Sequence, residues 1–246
     1  MQIPRIFQNR SLQLQACFFL TEEASHHVKH VLRMKKDDLL SVFNGQGGEF
    51  KAVITQVNKT VEVCLQSFEN GFAASPLKII LAQAISRGDK MDFTLQKAVE
   101  LGVHTIIPLI TERVNVRLDE ARQAKRLLHW RKVMESATEQ SGRCDLPILS
   151  PINEFSPWLE TISCDFKVVL DPHAKKEKKE KIPLKELLLL VGPEGGLSEK
   201  EYKKAYEAGF VGWRLGPRIL RTETAGMSAI AILQFLGGDF HPGSLL

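Results

Sequence analysis

The pattern of apolar and polar positions changes character near residue 70. Before that point short alternating runs dominate. "QACFFLT" (Gln15–Thr21) and "TVEVCLQSF" (Thr60–Phe68) read as strands, and "LLSVFNGQGGEFKAVITQV" (Leu39–Val57) as two strands joined by a Gly-rich hairpin. "EEASHHVKHVLR" (Glu22–Arg33) is a helix candidate between them. So many short β segments in one stretch predict a small barrel or sandwich. "ENGFAASP" (Glu69–Pro76) is polar, small and ended by proline, as a linker is.

Beyond it the rhythm is strand, helix, strand. "KIILAQAI" (Lys78–Ile85) and "VHTIIPLI" (Val103–Ile110) flank "DKMDFTLQKAVELG" (Asp89–Gly102), whose Met91, Leu95, Ala98 and Val99 share one helical face. Gly102 stands where such a helix ends in the left-handed conformation. A βαβ unit of this spacing predicts a parallel sheet buried on both faces. A long polar helix over 119–140 follows, then strands at "FKVVLD", "LLLLVG" and "GWRLG", and a nearly all-apolar helix in "TAGMSAIAILQFL" (Thr224–Leu236) that must be buried. Trp130 and Val133 of the long helix, like Met91, are assigned to the core. "KKEKKEK" (Lys175–Lys181) reads as a solvated loop. The chain therefore divides into a β-rich domain over 1–70, a linker over 71–76 and an α/β domain over 77–246.

Composition changes this picture little. With 246 residues, 43% hydrophobic and 25% charged, it is that of a soluble globular protein able to build its core without staples. The net charge of +4 permits nucleic acid as a partner without requiring it. Cys17, Cys64, Cys144 and Cys164 are scattered, with no CxxC pair, so neither a zinc site nor a redox motif is indicated and a reducing cytoplasm is the expected home. "MQIPRIFQNR" has no apolar signal core, and no run is long enough to span a membrane.

The chemistry concentrates in two strand-to-helix turns. "LLLLVGPEGGLSEKE" (Leu187–Glu201) runs from a strand into Gly192–Gly196. Ser198 and Glu201 then form a capping box that starts a helix. Ligands of open α/β sheets sit beyond such strand ends. Free backbone N–H groups before a helix usually mean phosphate. Here no G-x-x-x-x-G-K-[ST] exists, no lysine follows the glycines and Glu194 would repel an anion, so a neutral or cationic ligand fits better. "LGPRILRTETAGMSA" (Leu215–Ala229) repeats the plan with Arg218, Arg221 and Glu223, and the two loops are expected to converge on one pocket, with "LDPHA" after Val169 closing it. His26 and His30 are spaced i, i+4, but no third metal ligand accompanies them, so RNA or surface placement is the reading.

"GPEGGLSEKE", "LGPRILRTETA", "LQKAVELGVHTIIPLITERV" and "HWRKVMESATEQSGR", with "HHVKHVLRMKKDD" near the start, resemble the ribosomal small-subunit methyltransferase E family over nearly the whole chain. That family belongs to the SPOUT class, and the resemblance implies an S-adenosylmethionine-dependent enzyme methylating N3 of a uridine in small-subunit (16S) ribosomal RNA. It implies an α/β fold: a SPOUT-type parallel sheet with a deep trefoil knot, an N-terminal PUA-like β-barrel, and a homodimer without metal. It places the cofactor among Leu170, Val191, Gly192, Pro193, Glu194, Gly195, Gly196, Leu215, Gly216, Ile219, Leu220, Arg221, Thr224 and Ala225. A sulfonium cargo without phosphate suits a glycine loop that has a glutamate and no lysine. Arg221 would stabilise the uridine anion, and Glu223, or second to it Glu194, would accept the proton or, for Glu223, anchor the cofactor. A salt bridge between Arg221 and Glu223 that merely holds the loop is the competing expectation. Arg5, Arg10, Lys29, His30, Arg33, Lys35 and Lys36 are the expected RNA contacts, with Arg122, Lys125, Arg126, Arg131 and Lys132 on the long helix. A 2′-O-ribose methyltransferase of the same class, and a non-catalytic RNA-binding protein, are the alternatives. A nucleotide-phosphate enzyme is disfavoured by the missing lysine.

Overall fold

The structure is a computed structural model describing residues 3–72, 74–114, 119–175 and 185–240. The expected Lys175–Lys181 loop lies, beyond its first residue, outside them. Two compact units emerge, residues 1–74 with 135–146, and residues 75–134 with 147–246.

The first unit holds β1 (Arg5–Phe7), β2 (Cys17–Phe19), α1 (Glu22–His26), β3 (Leu39–Phe43), β4 (Glu49–Val57) and β5 (Val61–Glu69). Its sheet runs β1-β3-β4-β5-β2, antiparallel except for the parallel β1–β3 pair. All five strands send side chains into one core that includes Ile6, Phe18, Leu40, Ile54 and Val63. Packing both edge strands on one core requires the sheet to curl, yet among the described residues no ladder joins β1 to β2, so its hydrogen bonding does not close a ring. The expected helix over Glu22–Arg33 is shorter: α1 passes into a π-helical turn, His27–Val31, which stacks the rings of His26 and His30 at 4.6 Å. Cys17 and Cys64, expected reduced, form a disulfide: 47 residues apart in sequence, they are direct partners in the β2–β5 register. Sequence spacing alone does not show such a pair.

The second unit is built on a seven-stranded, wholly parallel sheet, ordered β12-β10-β11-β6-β7-β8, with β9 also pairing β7. The strands are β6 (Lys78–Ala84), β7 (Thr105–Ile110), β8 (Ile148–Leu149), β9 (Asn153–Glu154), β10 (Lys167–Leu170), β11 (Glu186–Val191) and β12 (Val211–Trp213). Helices α2 (Asp89–Glu100), α3 (Glu120–Ser141, contributing its last residues to the first unit), α4 (Phe155–Thr161), α5 (Glu199–Glu207) and α6 (Thr222–Gly237) complete the chain. Leu187–Val191 are at most 2% exposed, as an all-apolar central strand requires. Met91, Leu95, Ala98 and Val99 form the buried face of α2. Gly102 ends that helix region at φ +79°, and a Cβ there would stand 2.6 Å from Gln234 Nε2, which bonds the Leu101 carbonyl at 2.9 Å. Trp130 is core, at 3% exposure, whereas Val133 is only half-buried. Helix α4 and the short strands β1, β8 and β9 have no counterpart in the apolar pattern.

Candidate active site

The carboxyl ends of β10, β11 and β12 open into a cavity of about 910 Å³. The glycine loop after β11 forms one wall and the loop Leu215–Leu220 after β12 another, so the two turns do converge. The segment Asp171–His173 after β10 supplies a third side, and α5 the floor with Tyr202 and Tyr206.

Each loop is fixed by identifiable bonds. Ser198 Oγ accepts from the Glu201 N–H while Glu201 Oε2 accepts from the Ser198 N–H, which is the capping box the sequence predicts. Glu201 Oε1 also accepts from Glu112 N–H, tying the start of α5 to the end of β7. Gly192 cannot carry a side chain without strain, since its Cβ would lie 3.0 Å from Leu197 N. Gly196 takes φ +68°, and Arg113 donates to the Gly195 carbonyl. Thr222, at the first turn of α6, donates its hydroxyl proton to Gly192 O at 2.6 Å and receives a bond from Gln83 Nε2 at 3.2 Å. Sequence reasoning missed Thr222, although it stands inside the "RTETA" block.

Of the expected cofactor residues, Leu170, Val191, Gly192, Pro193, Glu194, Gly195, Gly196, Leu215, Ile219, Leu220 and Ala225 line the cavity. Gly216, Arg221 and Thr224 do not line it and are exposed. The Glu194 carboxylate does not wait for a cation. Its Oε1 accepts from the Arg87 N–H at 3.1 Å and lies 3.5 Å from Lys90 Nζ. Burial raises its pKa, but bonds from its own and Arg87 backbone N–H groups and from Lys90 outweigh this and hold it below the ordinary value. Its carboxylate is thus already engaged by the Arg87 N–H and Lys90. Glu223 is half-buried with Oε2 lacking any hydrogen-bond partner, and no ion pair joins it to Arg221 among the described residues. The loop-holding salt bridge is absent; Thr222 does that work.

The sequence also gave no weight to the polar group on the cavity floor. Asp171, 8% exposed, accepts from Tyr206 Oη at 2.6 Å and from the His173 N–H at 2.8 Å. Tyr202 donates to Leu170 O at 3.3 Å, and burial, then the charge of Asp171, push its pKa up to about 12, so it stays a neutral phenol. Trp213 adds an aromatic wall.

The donor set fits S-adenosylmethionine. The cavity volume is that of a small-molecule site. Its glycine loop offers backbone polar groups for adenine, its apolar walls (Val191, Pro193, Leu215, Leu220) suit a ring face, and no lysine stands in the glycine loop to bind phosphate.

In the first unit Arg5 is not available to RNA, contrary to expectation. Its guanidinium pairs with Glu49 at 2.7 Å and donates to Thr138 O, Glu139 O, Arg143 O and Cys144 Sγ, using all five donors. Arg10, stacked on Phe18 at 4.3 Å, and His30, Arg33, Lys35 and Lys36 are exposed, and Lys29 is half-buried and bonds Asn58 O and Lys59 O. In the second unit Lys125 is exposed and Arg126 half-buried, Arg122 pairs with Asp119 at 3.4 Å, and Arg131 and Lys132 lie on the exposed face of α3.

Comparison with known proteins assigns this architecture to the RNA methyltransferases. The RNA methyltransferase domain family matches residues 73–234, and the RNA methyltransferase PUA domain family matches residues 20–64. Ribosomal RNA small subunit methyltransferase E of Buchnera aphidicola is 39% identical over 243 residues, 97% of this chain and 98% of that one. The Neisseria gonorrhoeae protein of the same name, solved bound to S-adenosyl methionine, superposes with a TM-score of 0.90 at 39% identity, covering 98% of this chain and 100% of that one. A Legionella pneumophila protein solved with bound SAM gives 0.93 at 39% identity and the same coverage. The chain belongs to the ribosomal RNA small subunit methyltransferase E family.

Proposed function

We propose that the protein methylates N3 of a uridine in small-subunit (16S) ribosomal RNA, using S-adenosylmethionine. The observation that carries this reading is the convergence of two Gly-Pro loops, after β11 and β12, on one cavity without a phosphate-binding lysine in its glycine loop. When bound, S-adenosylmethionine supplies an electrophilic methyl group. Gly192–Gly196 and Leu215–Leu220 would hold it through backbone groups. Arg221, exposed beside the cavity-lining Leu220 and Thr222, would stabilise the negative charge on uridine O2 or O4. Glu223 would accept the N3 proton: its Oε2 is buried and has no competing donor. The apolar part of the wall favours a reaction in which charge vanishes.

The remaining readings rest on lesser support. Strand β12 lies outside β10, yet the chain returns to pack α6 against β11 and α2, the path that a deep trefoil knot needs. Ile219 at 81% exposure, with Ile232 and Leu236 of α6 at 42% and 47%, offers apolar surface for a homodimer. Arg10, His30, Arg33, Lys35 and Lys36 would contact RNA phosphates, with Lys29 beside them. Among the described residues no helix is long and apolar enough to cross a membrane; the cytoplasm, where ribosomal RNA is, is the proposed location. Incubation of purified protein with methyl-labelled S-adenosylmethionine and small-subunit RNA, then nucleoside analysis, tests the reaction. Label in 3-methyluridine supports it; label in a 2′-O-methylnucleoside favours the ribose alternative, and none favours a binding protein.

A further inference from the structure

We propose that Asp171 recognises the ribose hydroxyls of the methyl donor, an inference that rests on reading the cavity as the S-adenosylmethionine site. Asp171 follows β10 directly and continues its ladder, its N–H bonding Trp213 O at 3.0 Å. Asp171 lines the cavity and is 8% exposed. Burying a carboxylate is costly unless its oxygens are satisfied. Here each oxygen receives one donor: the His173 N–H on Oδ1 and the Tyr206 hydroxyl on Oδ2. Among the described residues no Lys, Arg or His side chain pairs with it. An ionised carboxylate has about four lone-pair sites, so each oxygen keeps acceptor capacity, side by side, as a vicinal diol requires.

The surroundings maintain that arrangement. Gly212 of β12 lies beneath Tyr206, and a Cβ there would come 2.5 Å from Tyr206 Oη. A side chain at residue 212 would therefore displace the phenol from its present position on Asp171. The donors already on both oxygens leave one acceptor site on each, a spacing that matches two neighbouring hydroxyls, and calorimetry separates these from the methyl donor's ammonium group as the partner. A carboxylate at a strand end binding a ribose diol is the chemistry that dinucleotide folds use.

The test is calorimetry with 5′-deoxy-5′-methylthioadenosine, which has the diol but no ammonium, and with its 2′,3′-dideoxy counterpart. Wild type should prefer the diol by about 10–100-fold, the range of a hydrogen bond to a charged group. In Asp171→Asn that preference should fall by about tenfold or more, with an unchanged melting profile confirming the fold. A preference unaltered in the variant, or a wild-type preference within about twofold, overturns the inference while leaving the cofactor site standing. So does an Asp171→Asn variant that weakens S-adenosylmethionine but not methylthioadenosine. A wild type that binds neither S-adenosylmethionine nor the nucleosides removes the donor reading, and this inference with it.

Discussion

At the residue scale, two arginines that the sequence treats alike have opposite fates. Arg221 is exposed at the start of α6 with no ion pair to Glu223, so Arg221→Ala should leave the melting temperature unchanged while lowering turnover by about 100-fold or more. A loss below about threefold would remove it from the chemistry. Arg5 is 9% exposed at its side chain and uses every donor, bridging Glu49 to four groups near the end of α3. Arg5→Ala should cost about 3 kcal/mol in urea unfolding, because it removes the donor to one Glu49 oxygen and to four acceptors near the end of α3, leaving Lys51 as the remaining cation on Glu49. Arg5→Lys should recover little, since three donors on one point cannot replace a fork of five. Glu49 adds a pH dependence. Burial raises its pKa, but Arg5 and Lys51 outweigh that and hold it below 4.5. A folded pKa below the unfolded one stabilises at neutral pH, and the benefit drains as pH falls from about 4.5 through the folded value. Acid titration of stability should therefore steepen there in wild type and flatten in Glu49→Gln.

At the element scale, glycines and threonine place the site. Gly192→Ala puts a methyl 3.0 Å from Leu197 N and 3.2 Å from Leu197 Cγ, so it should shift the loop and weaken S-adenosylmethionine binding about tenfold in calorimetry with little loss of stability. Gly102→Ala meets both φ +79° and Gln234 and should destabilise by about 2 kcal/mol without touching the cavity. Much of this was legible in the sequence. The capping box, the Gly102 stop, the buried face of α2 and the parallel strands each follow from local spacing, and both Gly-Pro turns announce themselves. What stayed hidden depends on which elements become neighbours. The Thr222–Gly192 bond and the Glu194–Arg87 contact join segments tens of residues apart, and Tyr206 meets Gly212 only once the chain has turned from α5 into β12, so no local pattern encodes them. The short strands β1, β8 and β9 hold two or three residues each, below the length at which alternation can be read. The assignment of Arg5 failed for the same reason: charge near the amino terminus says nothing of the carbonyls that α3 brings to it.

At the scale of the whole molecule, a β-rich unit matching the RNA methyltransferase PUA domain family accompanies a parallel-sheet unit with a cavity at its strand ends, and the proposed function gives the first the RNA and the second the methyl donor. If the basic residues of the first unit contact phosphates, RNA affinity should fall steeply with salt, and the joint variant Arg33→Ala with Lys35→Ala should lower the slope of log affinity against log salt by about 1–2. A flat salt response would move the RNA site elsewhere. The central claim is that this cavity serves uridine N3 methylation. Small-subunit ribosomal RNA from cells lacking the gene, and from the same cells carrying it again, should be digested and its nucleosides weighed by mass spectrometry. The account predicts 3-methyluridine missing in the first and restored in the second, and not restored by Arg221→Ala. The same 3-methyluridine content in all three would contradict it.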